Sequence, residues 1–148
     1  MELQPTLVGT LVTLRPLVAD DWPALFAAAA DPAIWAQHPD HDRWKEEVFA
    51  GFFRGALDSG GAFAVLDTAT GAIIGSTRYH GYDAERREVE IGWTFLARAY
   101  WGGRFNGEMK RLMLAHAFGW VDQVLFLVGL DNLRSQSAVL RIGGVRVA

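Results

Sequence analysis

A glycine-rich turn that leads into a predicted helix, WGGRFNGEMK at residues 101–110, is the segment best suited to bind an anion. The first N–H groups of a helix have no intrahelical acceptor, and they lie at the positive end of the helix dipole. Arg104, Lys110 and Arg111 add positive charge to this segment. The GxxxxGK[ST] pattern of a Walker A loop and the GxGxxG spacing of dinucleotide folds are both absent. The segment therefore predicts either a phosphate site or an ordinary turn.

Two carboxylates on the preceding predicted strand, EVEIGWTFL at residues 88–96, could act as a general base. Strand alternation places Glu88 and Glu90 on one face, together with Gly92. Glu90 is the first candidate, directly or through a water, because a ligand can approach beside a glycine, and Glu88 is the substitute. The alternative is that both carboxylates lie on a solvated strand face, with Arg86 and Arg87 nearby. The same alternation predicts one apolar stripe on the opposite face, formed by Val89, Ile91, Trp93 and Phe95.

The histidines and serines are weaker candidates. His80, at the end of a predicted hairpin strand, is an alternative base, whereas His116 lies on an apolar helix face and is more typical of a core histidine. The His and Asp side chains of residues 38–42 could bind a metal ion, but a proline-bounded polar loop explains them equally well, so no metal site is expected. A serine hydrolase is disfavoured because the GxSxG motif is absent.

These side chains would be positioned by a mixed α/β arrangement. The proline-ended pattern LVTLRPL predicts an edge strand, and AFAVLD followed by AIIGSTRYH predicts a hairpin. A strand, a helix and a buried strand, VDQVLFLVGL, predict a right-handed parallel crossover. The fold class is therefore α/β, with a largely antiparallel mixed sheet flanked by helices. The predicted helices begin near Trp22, run from Asp42 to about Leu57 and over 105–118, and extend from Asn132 to Gly143-Gly144, with a loop over 31–42.

Composition limits the remaining possibilities. A chain of 148 residues with 51% hydrophobic types predicts a single domain over 1–148. The absence of cysteine excludes disulfides, Cys-ligated zinc and thiol nucleophiles. No signal peptide or membrane span is recognisable, so we expect a soluble, untargeted protein, with the cytoplasm as the expected location. The net charge of −3 argues against nucleic-acid binding.

The charge is unevenly distributed along the chain. Residues 1–91 hold seven basic and fourteen acidic side chains, whereas residues 92–148 hold seven basic and three acidic ones. An anionic ligand would therefore bind the second part, unless the asymmetry is a chance property of a solvated surface.

The order EIGWTFL, WGGRFNGEMKRLMLAHAF and VLFLVGLDNLRSQSAVLRIGGV resembles the GCN5-related N-acetyltransferase (GNAT) superfamily, in the branch of the ribosomal-protein N-terminal acetyltransferases. The resemblance extends from LVTLRPL onward and is strongest over residues 88–144. It implies a GNAT-like acyl-CoA N-acyltransferase fold and direct acetyl transfer from acetyl-CoA to a primary amine of a small molecule or peptide, in a ternary complex. The alternative is a non-catalytic acyl-CoA-binding or interaction module.

The resemblance also implies site residues. The family loop Q/R-x-x-G-x-G/A binds the pyrophosphate of acetyl-CoA, and this chain departs from it at Trp101, Arg104 and Asn106. Family members often protonate the leaving thiolate with a tyrosine that follows the last helix, but this chain has no tyrosine after Tyr100. Ser135 is the substitute proton donor. The alternative is that Ser135 is only a small packing residue or forms a hydrogen bond at the start of the helix. The implied cofactor-binding residues are Phe95, Leu96, Trp101, Gly102, Gly103, Arg104, Phe105, Asn106, Gly107, Asn132 and Ser135.

Two further expectations follow from the resemblance. The first two helices and their loop would form a wall of the acceptor site, and the acidic first part of the chain favours a cationic acceptor. Only Val145 to Ala148 follow the glycine pair, whereas the family usually adds a strand beside VLFLVGL. We therefore expect the last strand to be missing, with either a truncated chain or an edge covered by a partner such as a second copy. The aromatic residues of the predicted wall are Trp22, Trp35, Trp44, Phe52 and Phe53.

Overall fold

The computed structural model describes residues 1–128 and 131–147. Its six strands form one sheet in the order β1 to β6, which confirms the predicted mixed α/β class. The strands are β1 Leu7–Val8, β2 Val12–Pro16, β3 Ala62–Asp67, β4 Ile73–Asp83, β5 Glu88–Leu96 and β6 Gln123–Leu125. The α-helices are α1 Trp22–Ala29, α2 Pro32–Trp35, α3 Glu46–Ser59, α4 Arg104–Ala117 and α5 Leu133–Arg141, and two short 3₁₀ turns cover Ala19–Asp21 and Arg98–Tyr100.

The pairing directions agree with the predicted hairpin and crossover. Each strand from β1 to β5 is antiparallel to the next, whereas β5 and β6 are parallel and are joined through α4. The β5–β6 ladder is short: it pairs Glu88–Glu90 with Gln123–Leu125. The two strands therefore stop pairing before the second half of β5.

A bulge at Trp93 breaks the predicted alternation of β5. The register against β4 shifts between Ser76 and Arg78, and Trp93 has a φ of +50°. One extra residue reverses the facing of the residues that follow it. Val89 and Ile91 consequently pack on one face of the sheet, whereas Trp93 and Phe95 pack on the other. The prediction of a single stripe through Phe95 is wrong, because alternation assumes a regular strand.

Each face of the sheet has its own core. On one face, Met109 and Met113 of α4 pack with Val89 and Ile91, and the buried Tyr79 hydroxyl donates a hydrogen bond to the Met113 carbonyl oxygen at 2.5 Å. The other face carries an aromatic layer contributed by α1, α2, α3 and β5, with ring centroids 5.1–6.4 Å apart. Its central members are Trp35, Phe49, Phe52 and Phe95.

The segment between α1 and α3 is more ordered than the predicted loop. Asp31 accepts a hydrogen bond from the Ala33 N–H at 3.0 Å and is followed by Pro32, so the short helix α2 forms at residues predicted to be irregular. A capping carboxylate before a proline is a common helix start, and here it outweighs the loop-like composition. Helix α3 begins at Glu46 rather than at Asp42, because Lys45 has an extended backbone.

The predicted strand VDQVLFLVGL is shorter and more exposed than expected. Only Gln123–Leu125 pairs as β6, and the side chains of Leu125 and Leu127 are 37% and 76% exposed. The prediction of burial on both faces is wrong, because within the described residues β6 is the edge of the sheet. Gly129 and Leu130 of this segment lie outside the described residues. No helix in the described part of the chain has the length and apolarity needed to span a membrane.

Candidate active site

The divergence of β5 from β6 opens a cavity of about 190 Å³. Its walls are residues 91–96 of β5, the turn and first residues of α4, residues 126–128 after β6, and α5, with part of α2 and its following turn. The bulge at Trp93 lies in the first of these walls. The cavity is thus located between two parallel strands that no longer pair.

The glycine turn shapes one end of this cavity. Gly102 and Gly103 have φ angles of +113° and +99°, a backbone region that favours glycine. The Gly107 N–H donates to the Gly103 carbonyl oxygen at 2.8 Å, so by helix geometry the amides of residues 104–106 precede the first intrahelical bonds. The Trp101 indole N–H donates to the Leu96 carbonyl oxygen at 2.9 Å and ties the turn to the end of β5.

Helix α5 adds two guanidinium groups to the same cavity. Asn132 begins the helix by accepting a hydrogen bond from the Ser135 N–H at 3.3 Å. The Arg134 guanidinium lies 3.9 Å from the Trp101 ring centroid and donates to the Ile34 carbonyl oxygen at 2.8 Å. Arg141 approaches the turn so closely that a Cβ on Gly103 would lie 3.0 Å from its Nη1. This end of the cavity is therefore positively charged and suited to an anion.

The structure places most of the predicted ligand residues around this one cavity. Arg104 is instead an exposed residue at the first position of α4, and Phe105 packs on Tyr100 with ring centroids 4.9 Å apart. Gly107 is buried within the helix. Those three residues are not among the described residues that line the cavity. The predicted residues that line the cavity are Phe95, Leu96, Trp101, Gly102, Gly103, Asn106, Asn132 and Ser135.

Both candidate carboxylates lie on β5 before the bulge, outside the described lining of the cavity. Glu90 is mostly buried, and its Oε1 is 3.5 Å from His80 Nδ1 on β4. A Cβ on Gly92 would lie 3.0 Å from Glu90 Oε2, so the side chain extends along the strand toward the bulge. Glu88 instead has Arg86 Nη1 at 3.9 Å, in an exposed pair. Glu90 is therefore the carboxylate closer to the cavity, with His80 beside it.

A buried lysine in the cavity wall was not predicted as a site residue. Lys110 is 5% exposed, and its Nζ donates to Thr94 Oγ1 at 2.7 Å. The Thr94 hydroxyl in turn hydrogen-bonds the Thr77 hydroxyl at 2.8 Å. Burial lowers the pKa of Lys110 to about 7. Beside the glycine turn, Lys110 was expected only to add charge for a phosphate. It lies three and seven residues before Met113 and Ala117, however, and that spacing indicates the apolar face of the helix.

A second opening lies on the α3 side of Trp93. This groove, of about 390 Å³, is lined by α3, the residues that precede it, β4 and Trp93. Arg43 and Arg78 are both among its lining residues, and neither was identified from sequence. Their guanidinium carbons lie 4.9 and 5.6 Å from the Phe52 ring centroid, on aromatic surfaces that only the tertiary fold brings together. We refer to this opening as the arginine groove.

The predicted aromatic wall is divided between site and core. Trp35 lines the cavity and Phe52 lines the arginine groove. Trp22 and Phe53 pack against each other in the aromatic layer, with ring centroids 5.3 Å apart. Trp44 is 37% exposed and lies beside Lys45.

Two of the other histidines, His116 and His38, have structural partners, whereas His41 is exposed. His116 Nε2 lies 2.7 Å from the Glu2 carbonyl oxygen on the half-buried face of α4. His38 Nδ1 accepts from the Asp40 N–H at 3.1 Å, and burial, reinforced by the charge of Arg43, lowers the pKa of His38. Across the described ranges, no three His, Cys, Asp or Glu side chains are grouped closely enough to hold a metal ion.

Comparison with known families identifies the domain. Residues 12–145 match the family described as "Acetyltransferase (GNAT) domain", which is most of the chain. The chain belongs to the GNAT acetyltransferase family. The family expected from the sequence is thereby confirmed, and the cavity is the candidate active site of a GNAT acetyltransferase.

Solved structures agree with this GNAT assignment. A GCN5-related N-acetyltransferase from Brucella melitensis has a TM-score of 0.85 at 22% identity, over 95% of this chain and 67% of that chain. A candidate acetyltransferase from T. thermophilus has a TM-score of 0.78 at 30% identity, over 95% and 76%. The spermidine N-acetyltransferase of Vibrio cholerae, in complex with CoA and spermine, has a TM-score of 0.72 at 16% identity, over 95% and 84%. The pairs under 25% identity show the GNAT fold alone. A search of curated proteins finds no significant match.

Proposed function

We propose that this GNAT domain uses acetyl-CoA as a cosubstrate and transfers the acetyl group directly to a primary amine in a ternary complex. The observation that carries the proposal is the cavity between the diverging β5 and β6, which has a glycine turn and a helix start at one end. The spermidine N-acetyltransferase with the same fold was solved with CoA, which supports a CoA thioester as the donor.

The chemistry of the positive end fits the diphosphate of acetyl-CoA. Gly102 and Gly103 carry no side chain that would block the approach of phosphate oxygens to the amides of residues 104–106. Arg134 and Arg141 add two charged donors at the same end. We propose that the cavity beside residues 91–96 receives the pantetheine arm, with Asn132 near it and the backbone N–H of Phe95 or Leu96 polarising the thioester carbonyl.

Glu90 is the proposed general base for the amine. A neutral amine must attack the thioester carbon, and Glu90 takes its proton directly or through a water, while Glu88 is the substitute and His80 the alternative. The new N–C bond forms as the carbonyl oxygen gains charge, and collapse of that intermediate breaks the C–S bond. The electron pair goes to sulfur as the thiolate. The proximity of Glu90 to Gly92 and the bulge supports this role.

The leaving thiolate needs little assistance, because a thiol of pKa near ~8.5 departs without a strong acid. Ser135, which lines the cavity, is the proposed hydrogen-bond donor to the sulfur. Lys110 lines the same cavity and is a buried amine on the α4 side of it.

The test measures thiol release from acetyl-CoA against a panel of primary amines, with wild type, Glu90→Gln and Glu88→Gln as a matched control. We expect Glu90→Gln to lower kcat at least ~100-fold, in the range typical of a lost general base, and Glu88→Gln to lower it less than ~3-fold. Thermal shift with CoA checks that the variants still bind the cosubstrate. If CoA raises the Tm but no amine releases thiol, the chain is a CoA-binding module; if CoA does not bind, the proposal fails entirely.

A further inference from the structure

Arg78 is a largely buried cation that is hydrogen-bonded to no acceptor among the described residues. Because no fully buried side-chain nitrogen of those residues lacks a partner, its guanidinium nitrogens reach the surface of the arginine groove. Arg78 is 6% exposed and lies on β4, opposite Gly92 of β5. Its guanidinium carbon is 4.4 Å from the Trp93 ring centroid and 5.6 Å from that of Phe52. Burial lowers the pKa of Arg78 to about 10, so the group is still charged at neutral pH. Aromatic rings rather than an acceptor surround the guanidinium, and its open N–H donors face the groove, so an anionic ligand there would supply the missing acceptor.

Arg43 supplies a second cation to the arginine groove but has a carboxylate of its own. Its Nη2 lies 2.6 Å from Asp40 Oδ2, and its guanidinium stacks over Trp35 and Phe52. The charge of Arg43 further lowers the pKa of Arg78, so the two guanidinium groups are close enough to repel each other. Asp40, which also lines the groove, neutralises Arg43, and Glu90 is the carboxylate whose charge acts on Arg78. No hydrogen bond joins Arg78 to either carboxylate, so its N–H donors remain open to the groove.

The arginine groove adjoins the cavity at the place where the amine would react. Trp93 lines both openings, so the bulge forms the boundary between them. Arg78 and Gly92 are partners across the β4–β5 ladder, and the pair two residues further along the same face is His80 and Glu90, of which His80 is exposed. Glu90 is close enough for its charge to favour the charged form of Arg78. A small acceptor bound at Arg78 could therefore reach Glu90 with its amine.

We propose that Arg78, with Arg43 beside it, binds a carboxylate of the acetyl acceptor, so that the acceptor is a primary amine that also carries a carboxylate. The inference rests on the proposed function and specifies its substrate class. A guanidinium offers two parallel N–H donors that match the two oxygens of a carboxylate. A polyamine would instead place positive charge against Arg78. This inference differs from the expectation of a cationic acceptor, which was drawn from the acidic first part of the chain, and the experiment below decides between the two.

The experiment compares acceptors that differ only in the carboxylate. One arm pairs each common amino acid with its carboxamide, and a second pairs peptide amides that begin with Asp or Glu with those that begin with Asn or Gln. Spermidine is the polyamine reference. We expect at least one carboxylate-bearing amine to exceed its amide at least ~10-fold in kcat/KM. The arm that shows the larger preference distinguishes a free amino acid from an acidic peptide terminus.

Variants assign the preference to Arg78. Arg78→Met should lower kcat/KM for the carboxylate-bearing amine at least ~10-fold more than kcat/KM for its amide, and Arg43→Met, the second variant, should reduce the carboxylate preference by a smaller factor. Arg54→Met removes an exposed charge from α3 outside the groove and should change nothing. Thermal shift with CoA verifies that each variant is folded and that its cavity is intact.

The outcomes separate this inference from the proposed function. Thiol release with spermidine or amides at the same rate as with carboxylate-bearing amines, or an equal loss of both in Arg78→Met, overturns the inference and leaves the proposed function intact. Absence of thiol release with any amine overturns both. If Arg78→Met does not fold, Arg43→Met tests the inference instead: a reduced carboxylate preference supports it, and an unchanged preference overturns it.

Discussion

Lys110 on α4 reaches Thr94 on β5, with 2.7 Å between Nζ and Oγ1, at the level where β5 and β6 have ceased to pair. Thr94 is the residue directly after the bulge at Trp93. The contact thus joins the helix that begins at the proposed phosphate site to the strand that would hold the thioester. A buried amine in this position responds to pH within the range in which the enzyme would operate.

The first prediction concerns the pH dependence of stability. The pKa of Lys110 is about 7 in the folded protein and near its ordinary 10.5 when unfolded, so unfolding takes up a proton between these values. The free energy of unfolding should therefore rise with pH from about 7 to 10, by up to ~1.4 kcal/mol per pH unit. Lys110→Met should remove this dependence and stabilise the protein at pH 7.

Denaturant titrations at pH 7, 8 and 9 measure the effect as the difference between wild type and Lys110→Met. Lys45→Met is the control, because Lys45 is exposed at the start of α3. A parallel pH dependence in wild type and Lys110→Met would show that Lys110 is fully protonated in the fold.

The second prediction concerns Gly103. Its φ of +99° disfavours any side chain, and a Cβ would lie 3.0 Å from Arg141 Nη1. Gly103→Ala should lower the free energy of unfolding by about 1–2 kcal/mol and raise the KM for acetyl-CoA at least ~10-fold. Gly71→Ala provides the comparison, since Gly71 also has a positive φ of +74° but has open space around its Cβ position. Steady-state kinetics that changed equally in both variants would argue against a phosphate site at the turn.

The third prediction tests the charge that α5 contributes. Arg141→Met should weaken acetyl-CoA binding about 10-fold, or ~1.4 kcal/mol, and should reduce the salt dependence of binding, because one cation is lost from the anion site. Calorimetry at two salt concentrations gives both quantities, with Arg54→Met as the variant of equal charge change on α3. An unchanged Kd in Arg141→Met would remove Arg141 from the site.

The fourth prediction concerns acid stability. Asp21 is 5% exposed and pairs with Arg15, with 2.7 Å between Oδ1 and Nη2. Burial opposes the charged form, but the hydrogen bonds from Arg15 and the Val18 N–H prevail and lower the pKa of Asp21. The pair therefore stabilises the fold above the ordinary Asp pKa of ~3.9, and this contribution is lost as the pH falls through the lowered value.

Asp21→Asn should cost about 2–3 kcal/mol at pH 7, since it leaves Arg15 without its carboxylate, and it should cost less at pH 3, below the ordinary Asp pKa of ~3.9. Urea titrations at the two pH values measure the difference. Asp20→Asn, at the adjacent exposed position, should be nearly neutral. A cost for Asp21→Asn that does not depend on pH would indicate a loss of packing rather than of charge.

The fold could be predicted from local patterns, and much of the cavity from a family resemblance. The two apolar runs of the hairpin with the turn between them, the glycine pair that follows α5 and the Asn132 at its start act through neighbours in sequence, so their structural roles were predicted correctly. The bulge could not be predicted, because a φ of +50° at Trp93 is imposed by the register against β4.

The two missed cations depend on long-range contacts. Arg78 lies between aromatic rings contributed by α3 and β5, and Lys110 reaches a threonine sixteen residues earlier in the chain. Sequence spacing assigns charges to surfaces by default, because a charged side chain is rarely buried. In this protein the two buried cations line the two openings on either side of Trp93.

The extra residue at Trp93 also affects how related sequences should be compared. A gap or insertion placed in β5 during alignment would exchange the facing of residues 94–96, and so would interchange the residues assigned to the α4 side and the aromatic side of the sheet. A one-residue deletion in a homologue at this point would shorten the strand by only about 3.3 Å, yet it would change which residues line the candidate active site.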